Sequence, residues 1–188
     1  MKIMGVDPAL GVTGVAVIEV HDRPGDESVL HTSLIKTSSA DGRGDTSRLA
    51  EIADKCLLVA QLAGVMVVGI EKPYISMKQS PRTALRLSEL HGVLRDRMAG
   101  AGYEVFSIAP ASRCVALGVS GRLPRAAAKA AVMASVLSRY GMDLSEDEAD
   151  AVGTAVAAWA AWRKAADPKG KQLGLGIKAP HRRKKASA

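Results

Sequence analysis

Residues 149–162 read Ala-Asp-Ala-Val-Gly-Thr-Ala-Val-Ala-Ala-Trp-Ala-Ala-Trp, a stretch apolar nearly all round a helical wheel. A surface helix keeps a polar face, so a helix of this kind has to be buried. Ser145-Glu-Asp-Glu148 precedes it in the form of a capping box, with Ser145 as N-cap and Glu148 at the third helical position. The rest of the chain must supply enough core to enclose it. With 188 residues, 47% apolar and 24% charged, one domain of ordinary size can do so, and wholesale disorder is excluded. Aromatic residues make up only 3%, so the core is built mainly from Ala, Val, Leu, Ile and Met.

Residues 1–6 form an apolar run ending at Asp7, the pattern of a short buried strand. Pro8-Ala-Leu-Gly11 is a turn, and residues 12–20, rich in Val and Ile, read as a second strand. Residues 21–28 contain Pro24-Gly25 and read as a hairpin loop; residues 29–36 make a third strand and 38–46 a polar loop. A helix starts near Thr46 or Ser47, carries Leu49, Ile52, Cys56 and Val59 at helical spacing, and stops at Gly64. Residues 65–70 are apolar throughout, as in a strand covered on both faces, and end at Glu71. A loop rich in Pro, Lys and Ser leads to a helix over 83–99 and a fifth strand over 103–108. A short helix over 110–117, a loop over 118–124 and a helix over 125–140 follow. Three strands in a meander, then alternating helices and strands, give an α/β chain: one mixed sheet with helices on its faces.

The two cysteines are too few for a disulfide framework, and the helical setting of Cys56 predicts a reduced, buried thiol. No signal-peptide pattern opens the sequence, and Gln61 and two glycines break its longest apolar stretch, so a cytoplasmic protein without a membrane span is expected. The net charge of +7 is concentrated at one end. Residues 168–188 hold seven Lys or Arg and no acid, which leaves 19 basic and 19 acidic residues in 1–167. We therefore divide the chain into a domain over 1–165 and a flexible basic tail over 166–188. Such a tail suits polyphosphate binding by counterion release, or simply solubility. No acid occurs between Glu104 and Asp143, where Arg113, Arg122, Arg125, Lys129 and Arg139 lie, so that segment is expected to present a basic face.

Asp7 and Glu71 each end an apolar strand, and an ionised carboxylate beside a core is costly unless paired with a cation or bound to metal. Asp147 and Asp150 lie three residues apart, hence on one face of the closing helix. First-turn acids are favoured by the helix dipole, by about 0.3–1 kcal/mol, which accounts for Glu146, Asp147 and Glu148. Asp150 lies beyond that turn inside an apolar run and needs a partner. Four acids without a Cys–His cluster offer only oxygen ligands, which select Mg²⁺ or Mn²⁺ over zinc. Two such ions, roughly 3.5–4 Å apart, suit in-line phosphoryl displacement.

Met4-Gly-Val-Asp-Pro8 with Gly11-Val-Thr-Gly-Val15, Val68-Gly-Ile-Glu71, and Glu148-Ala-Asp-Ala-Val152 preceded by Asp147 stand in that order. With Thr83-Ala-Leu-Arg-Leu87 and His91-Gly-Val93 between them, they resemble the RuvC family of Holliday-junction resolvases, within the RNase H-like superfamily, over roughly residues 1–163. The resemblance implies an RNase H-like fold with a five-stranded mixed sheet flanked by helices, a symmetric homodimer, and paired Mg²⁺-dependent nicks in four-way DNA junctions. It implies Asp7, Glu71, Asp147 and Asp150 as catalytic, metal-holding residues, with two Mg²⁺ per site that Mn²⁺ replaces, and no organic cofactor. Tyr74 matches an aromatic that stacks on junction bases, and Lys78 in the same loop is a further candidate DNA contact. Arg113 falls near a phosphate-contacting lysine; a second such lysine corresponds to Arg125 or Lys129. Ala9 stands where the family usually has glycine, Lys72-Pro73 follows the glutamate, and the basic tail is additional to the usual bacterial domain. That tail fits a phage-type, stand-alone resolvase and leaves open whether a branch-migration motor is a partner. The alternatives are an RNase H-like nuclease of broader branched-DNA or RNA substrate and a non-catalytic junction-binding protein.

Overall fold

The apolar runs pair into the sheet their spacing calls for. In the computed structural model, which describes residues 1–21, 25–38, 40, 42, 44–74 and 80–166, the described chain forms five strands and five helices. The meander is β1 (Lys2–Asp7), β2 (Val12–Glu19) and β3 (Ser28–Lys36). Then come α1 (Asp45–Ala63), β4 (Val67–Glu71), α2 (Pro81–Gly100), β5 (Glu104–Ile108), α3 (Pro110–Ala116), α4 (Arg125–Tyr140) and α5 (Glu146–Ala166). The sheet order is β3-β2-β1-β4-β5, antiparallel within the meander and parallel from β1 to β4 and from β4 to β5. This is the five-stranded mixed sheet expected of the chain.

Alternate strand residues face opposite ways, and both faces are covered. Met4, Val6, Val68 and Ile70 pack with Ile52 of α1 and Leu90, Leu94 and Met98 of α2. Ile3, Ala16, Ile18 and Val67 pack with α5, behind which Val132 and Val136 of α4 complete the second core. Every residue from Ala149 to Trp159 is buried, which bears out the enclosure the sequence demands. The capping box forms: the Ser145 hydroxyl accepts from the Glu148 N–H at 3.4 Å and the Glu148 carboxylate accepts from the Ser145 N–H at 3.2 Å.

Three strand glycines allow α5 to lie against the sheet. A Cβ on Gly5 would stand 2.1 Å from the Ala151 carbonyl oxygen, and one on Gly14 would stand 2.0 Å from that of Asp147. On Gly69 it would meet the Ala158 Cβ at 2.6 Å. Gly5 is the cross-strand partner of both Gly69 and Ala16, so the small residues form a track across the middle strands. Any side chain on it would lift the helix.

Two element ends differ from expectation for local reasons. β4 begins at Val67 rather than 65, because Gly64 closes α1 in the left-handed conformation and the Val65 N–H is used on the Ala60 carbonyl at 3.1 Å. α2 begins at Pro81, with the Ser80 hydroxyl accepting from the Thr83 N–H at 3.2 Å. Cys56 and Cys114 are free and buried, and burial pushes the Cys56 thiol up to about 12. No described helix is long and apolar enough to cross a membrane. The hairpin-loop residues 22–24, the polar-loop residues 39, 41 and 43, and the tail from residue 167 lie outside the described residues.

The basic face predicted for residues 105–142 is largely neutralised by acids from elsewhere in the chain. Arg113 pairs with Glu71 and Asp150, Lys129 with Glu146, and Arg139 with Glu27. Among the described residues, Arg122 and Arg125 are left exposed without an ion pair.

Candidate active site

Parallel pairing of β1 with β4 sets Val6 opposite Ile70, so the next residue of each strand, Asp7 and Glu71, emerges at the same sheet edge. The turn after Asp7 is held from three sides. The Thr13 hydroxyl donates to the Ala9 carbonyl at 2.7 Å and accepts from the Ala9 N–H at 3.2 Å. Arg48 of α1 donates through Nη2 to the Leu10 carbonyl at 2.6 Å, where the Thr37 hydroxyl also donates at 2.5 Å. No described residue other than glycine has a positive φ, so Ala9 occupies this turn without backbone strain. On the other strand the Lys72 N–H donates to the Ile108 carbonyl at 2.8 Å, which carries the β4–β5 pairing one residue past Glu71 before Pro73 ends it.

Over this edge lies the first part of α5, brought down by the glycine track. Asp150 is buried, and its partner is Arg113 of α3. Arg113 Nη1 sits 2.6 Å from Asp150 Oδ2 and 2.7 Å from Glu71 Oε2, so one nitrogen bridges carboxylates from β4 and α5. The Thr154 hydroxyl donates to the Asp150 carbonyl at 2.9 Å and lies 3.5 Å from Glu71 Oε2. Arg113 Nε and Asp150 Oδ1 are buried and have no hydrogen-bond partner.

Burial, followed by the charges of Glu71 and Asp150, holds the Asp7 carboxyl well above its usual range, while Arg113 opposes the shift. Burial pushes Glu71 up to about 7 and Asp150 up to about 6, in both cases against the pull of Arg113. Asp147, nearer the surface, is raised by burial and then by Glu146. Burial alone would lower the Arg113 guanidinium, but Glu71, Asp150 and Asp7 reverse the direction and raise it. The site holds more negative charge than one guanidinium balances.

The four predicted acids line one cleft, together with Tyr74, Arg113, Arg125 and Lys129. Tyr74 is 65% exposed at its rim, and Lys129 is paired with Glu146. Lys78 lies outside the described residues. Sequence reasoning placed Arg113 as a phosphate contact and missed its bridge to two acids. It also did not single out Lys72, which lines the same cleft.

Among the described residues, no three His, Cys, Asp or Glu side chains stand ready arranged around one metal position. The donor chemistry nevertheless suits a hard divalent cation. The acids supply only oxygen, all four are pushed upward by burial, and Asp150 Oδ1 lacks any partner. The Arg113 nitrogen lies within hydrogen-bond distance of both Glu71 and Asp150.

The fold and site define an α/β protein with a 3-2-1-4-5 mixed sheet, carboxylates ending its two central parallel strands and more on the helix laid across them. The chain belongs to the RuvC family: the family model described as crossover junction endodeoxyribonuclease RuvC matches residues 3–158. It is 29% identical over 159 residues to the crossover junction endodeoxyribonuclease RuvC of Cupriavidus metallidurans, covering 83% of this chain and 82% of that protein. The RuvC protein of Francisella philomiragia is 31% identical over 160 residues, covering 83% and 86%. The fold is shared with Thermus thermophilus RuvC in complex with a Holliday junction substrate, at a TM-score of 0.70 and 21% identity over 87% of this chain and 96% of that one.

Proposed function

We propose that this protein resolves four-way DNA junctions by hydrolysing phosphodiester bonds in opposed strands, with Asp7, Glu71, Asp147 and Asp150 as its catalytic carboxylates. The observation that carries this reading is the convergence of Asp7, Glu71 and Asp150 at one sheet edge, with Asp147 beside them, in a cleft rimmed by Tyr74, Arg125 and Lys129. Membership of the RuvC family supports the substrate class. Two Mg²⁺ ions, replaceable by Mn²⁺, would be held by these four acids and supply an activated water and charge neutralisation at the leaving oxygen.

The chain's own residues perform the rest. The Thr13, Arg48 and Thr37 contacts fix the turn beyond Asp7, so its carboxylate holds one direction while substrate binds. Glu71 and Asp150 are presented from a buried strand and a buried helix, where little motion is available to them. Tyr74 stacks on bases that are unpaired where the strands exchange, a contact worth about 1–3 kcal/mol per base. Arg125 and Lys78 contact phosphates of the flanking duplex, and so does Lys129, in exchange for Glu146. A symmetric homodimer places two such sites on opposed strands of a two-fold substrate. The basic tail adds salt-dependent affinity that does not depend on DNA sequence. This reaction belongs to DNA recombination and repair in the cytoplasm of a bacterium or of a phage-infected cell.

The test compares a synthetic four-way junction, a fork and a plain duplex, with every nick mapped in Mg²⁺ and in Ca²⁺. Paired symmetric nicks in the junction under Mg²⁺ are expected. Equal cutting of forks makes the protein a general debranching nuclease, and tight binding without nicks in Mg²⁺ or Mn²⁺ overturns the catalytic reading.

A further inference from the structure

We infer that Arg113 is a built-in counter-ion, occupying the place between Glu71 and Asp150 that a divalent cation takes, and that it must leave before the cation binds. This rests on reading the four acids as a cation site. The first support is position. A single nitrogen, Nη1, lies 2.7 Å from Glu71 Oε2 and 2.6 Å from Asp150 Oδ2, so one positive charge serves both acids.

The second is waste. A guanidinium offers a planar fork of donors, and its carboxylate pairs frequently use two of them side by side. Here Nε is buried without a partner, and so is the other Asp150 oxygen, Oδ1. The bridge satisfies charge but leaves hydrogen-bonding capacity unspent, which fits an arrangement made to be given up.

The third is the seat prepared for the side chain. Gly153 stands in the middle of α5, where glycine is unfavourable for a helix. A Cβ there would lie 2.7 Å from Arg113 Cγ and 2.8 Å from Leu117 Cδ1, so the glycine clears the path of the arginine stem. The fourth is an exit: Arg113 itself lines the open cleft, of which Gly121, Leu123 and Arg125 are also walls, so its side chain borders the space into which it would be released.

Two consequences follow. The fold can form without metal, because the buried carboxylates have a cation of their own. Cation affinity is reduced by the fraction of molecules in which Arg113 is in place, since only the remainder is competent to bind. A DNA phosphate in the cleft offers the released guanidinium another partner, so DNA and cation favour each other's binding.

The experiment titrates Mn²⁺ into the full-length protein without DNA at pH 8, by calorimetry and by the loss of the free-ion electron paramagnetic resonance signal. Wild type is compared with Arg113→Met and Arg113→Lys. Arg113→Met is expected to bind Mn²⁺ about tenfold more tightly or better, as removal of a competitor populated at nine-tenths requires. Arg113→Lys, with one shorter and more mobile ammonium, is expected in between. If Arg113→Met fails to fold without metal, Arg113→Lys decides alone: tighter binding supports the counter-ion role, and unchanged or weaker binding overturns it. Equal binding by all three proteins removes the counter-ion and leaves the cation site standing. Absence of binding in all three removes the cation reading itself, and the proposal with it.

Discussion

On one face of the sheet, Ile52 of α1 and Leu90, Leu94 and Met98 of α2 bury long side chains against Met4, Val6, Val68 and Ile70. On the other, α5 approaches β1, β2 and β4 most closely at Gly5, Gly14 and Gly69, with the backbone at Ala151 and Asp147 resting directly on Gly5 and Gly14. The first face is a hydrophobic layer of ordinary thickness, whose residues can exchange volume with their neighbours. The second is a close backbone-to-backbone approach with no slack. The comparison separates stability from positioning: the thick layer holds the sheet together, while the thin one sets the height of Asp150 above Asp7 and Glu71.

Substitutions on the two faces sharpen that distinction. Gly5→Ala places a methyl group where the Ala151 carbonyl stands, a clash no rotamer can relieve. It is expected to cost about 3 kcal/mol, the upper end of ordinary overpacking. Because α5 must lift, junction cleavage is also expected to fall by about 100-fold, the penalty of an ångström-scale misplacement. Chemical denaturation and single-turnover cleavage measure the two effects. Leu94→Ala, on the thick face, is expected to cost about 2–5 kcal/mol through its cavity. It should leave the single-turnover rate unchanged at temperatures where the variant is folded. Equal losses of rate in the two variants would break the comparison.

A smaller effect separates the faces by pH. Glu71 is raised from 4.5 to about 7 and Asp150 from 3.8 to about 6, so the folded state holds these protons more tightly than the unfolded chain does. The stability this confers is complete below about pH 4 and is lost as pH rises through about 6 to 7. Without divalent cation, the melting temperature of wild type should therefore fall more between pH 5 and pH 8 than that of Glu71→Gln. Leu94→Ala should keep the wild-type pH slope. Thermal scans across that range decide it, and parallel slopes for wild type and Glu71→Gln would contradict the assignment.

The sequence makes these two faces unequally visible. Asp7 and Glu71 stand out because an acid ends an apolar run, and Asp150 because it interrupts a helix otherwise apolar all round. Each of these signals lies within a few residues of the acid itself. The Arg113 bridge does not, since Glu71 is 42 residues away in the chain and only the packing of α3 brings the two together. The basic face expected of residues 105–142 fails for the same reason, because Glu27, Glu71, Glu146 and Asp150 arrive from other segments. Gly5, Gly14 and Gly69 each look like a weak point in a strand until the register sets Gly5 beside Gly69 and Gly14 beside Asp7, all three under α5. Element boundaries were legible where a residue acts on its own neighbours, as at the Ser145–Glu148 capping box. At β4 and α2 they moved by two residues, where the Gly64 closure and the Ser80 cap took up the adjoining backbone groups.

The most direct test of the account is Asp7→Asn, assayed with a four-way junction in Mg²⁺ for cleavage and in Ca²⁺ for binding. The substitution keeps the shape of the side chain and removes one ionisable carboxyl from the group formed with Glu71 and Asp150. The account predicts an intact fold, junction affinity within about twofold of wild type, and cleavage abolished, as for loss of a group acting directly in the reaction. Cleavage at the wild-type rate would contradict it, because the carboxylates gathered by the glycine track would then not be the site of the chemistry.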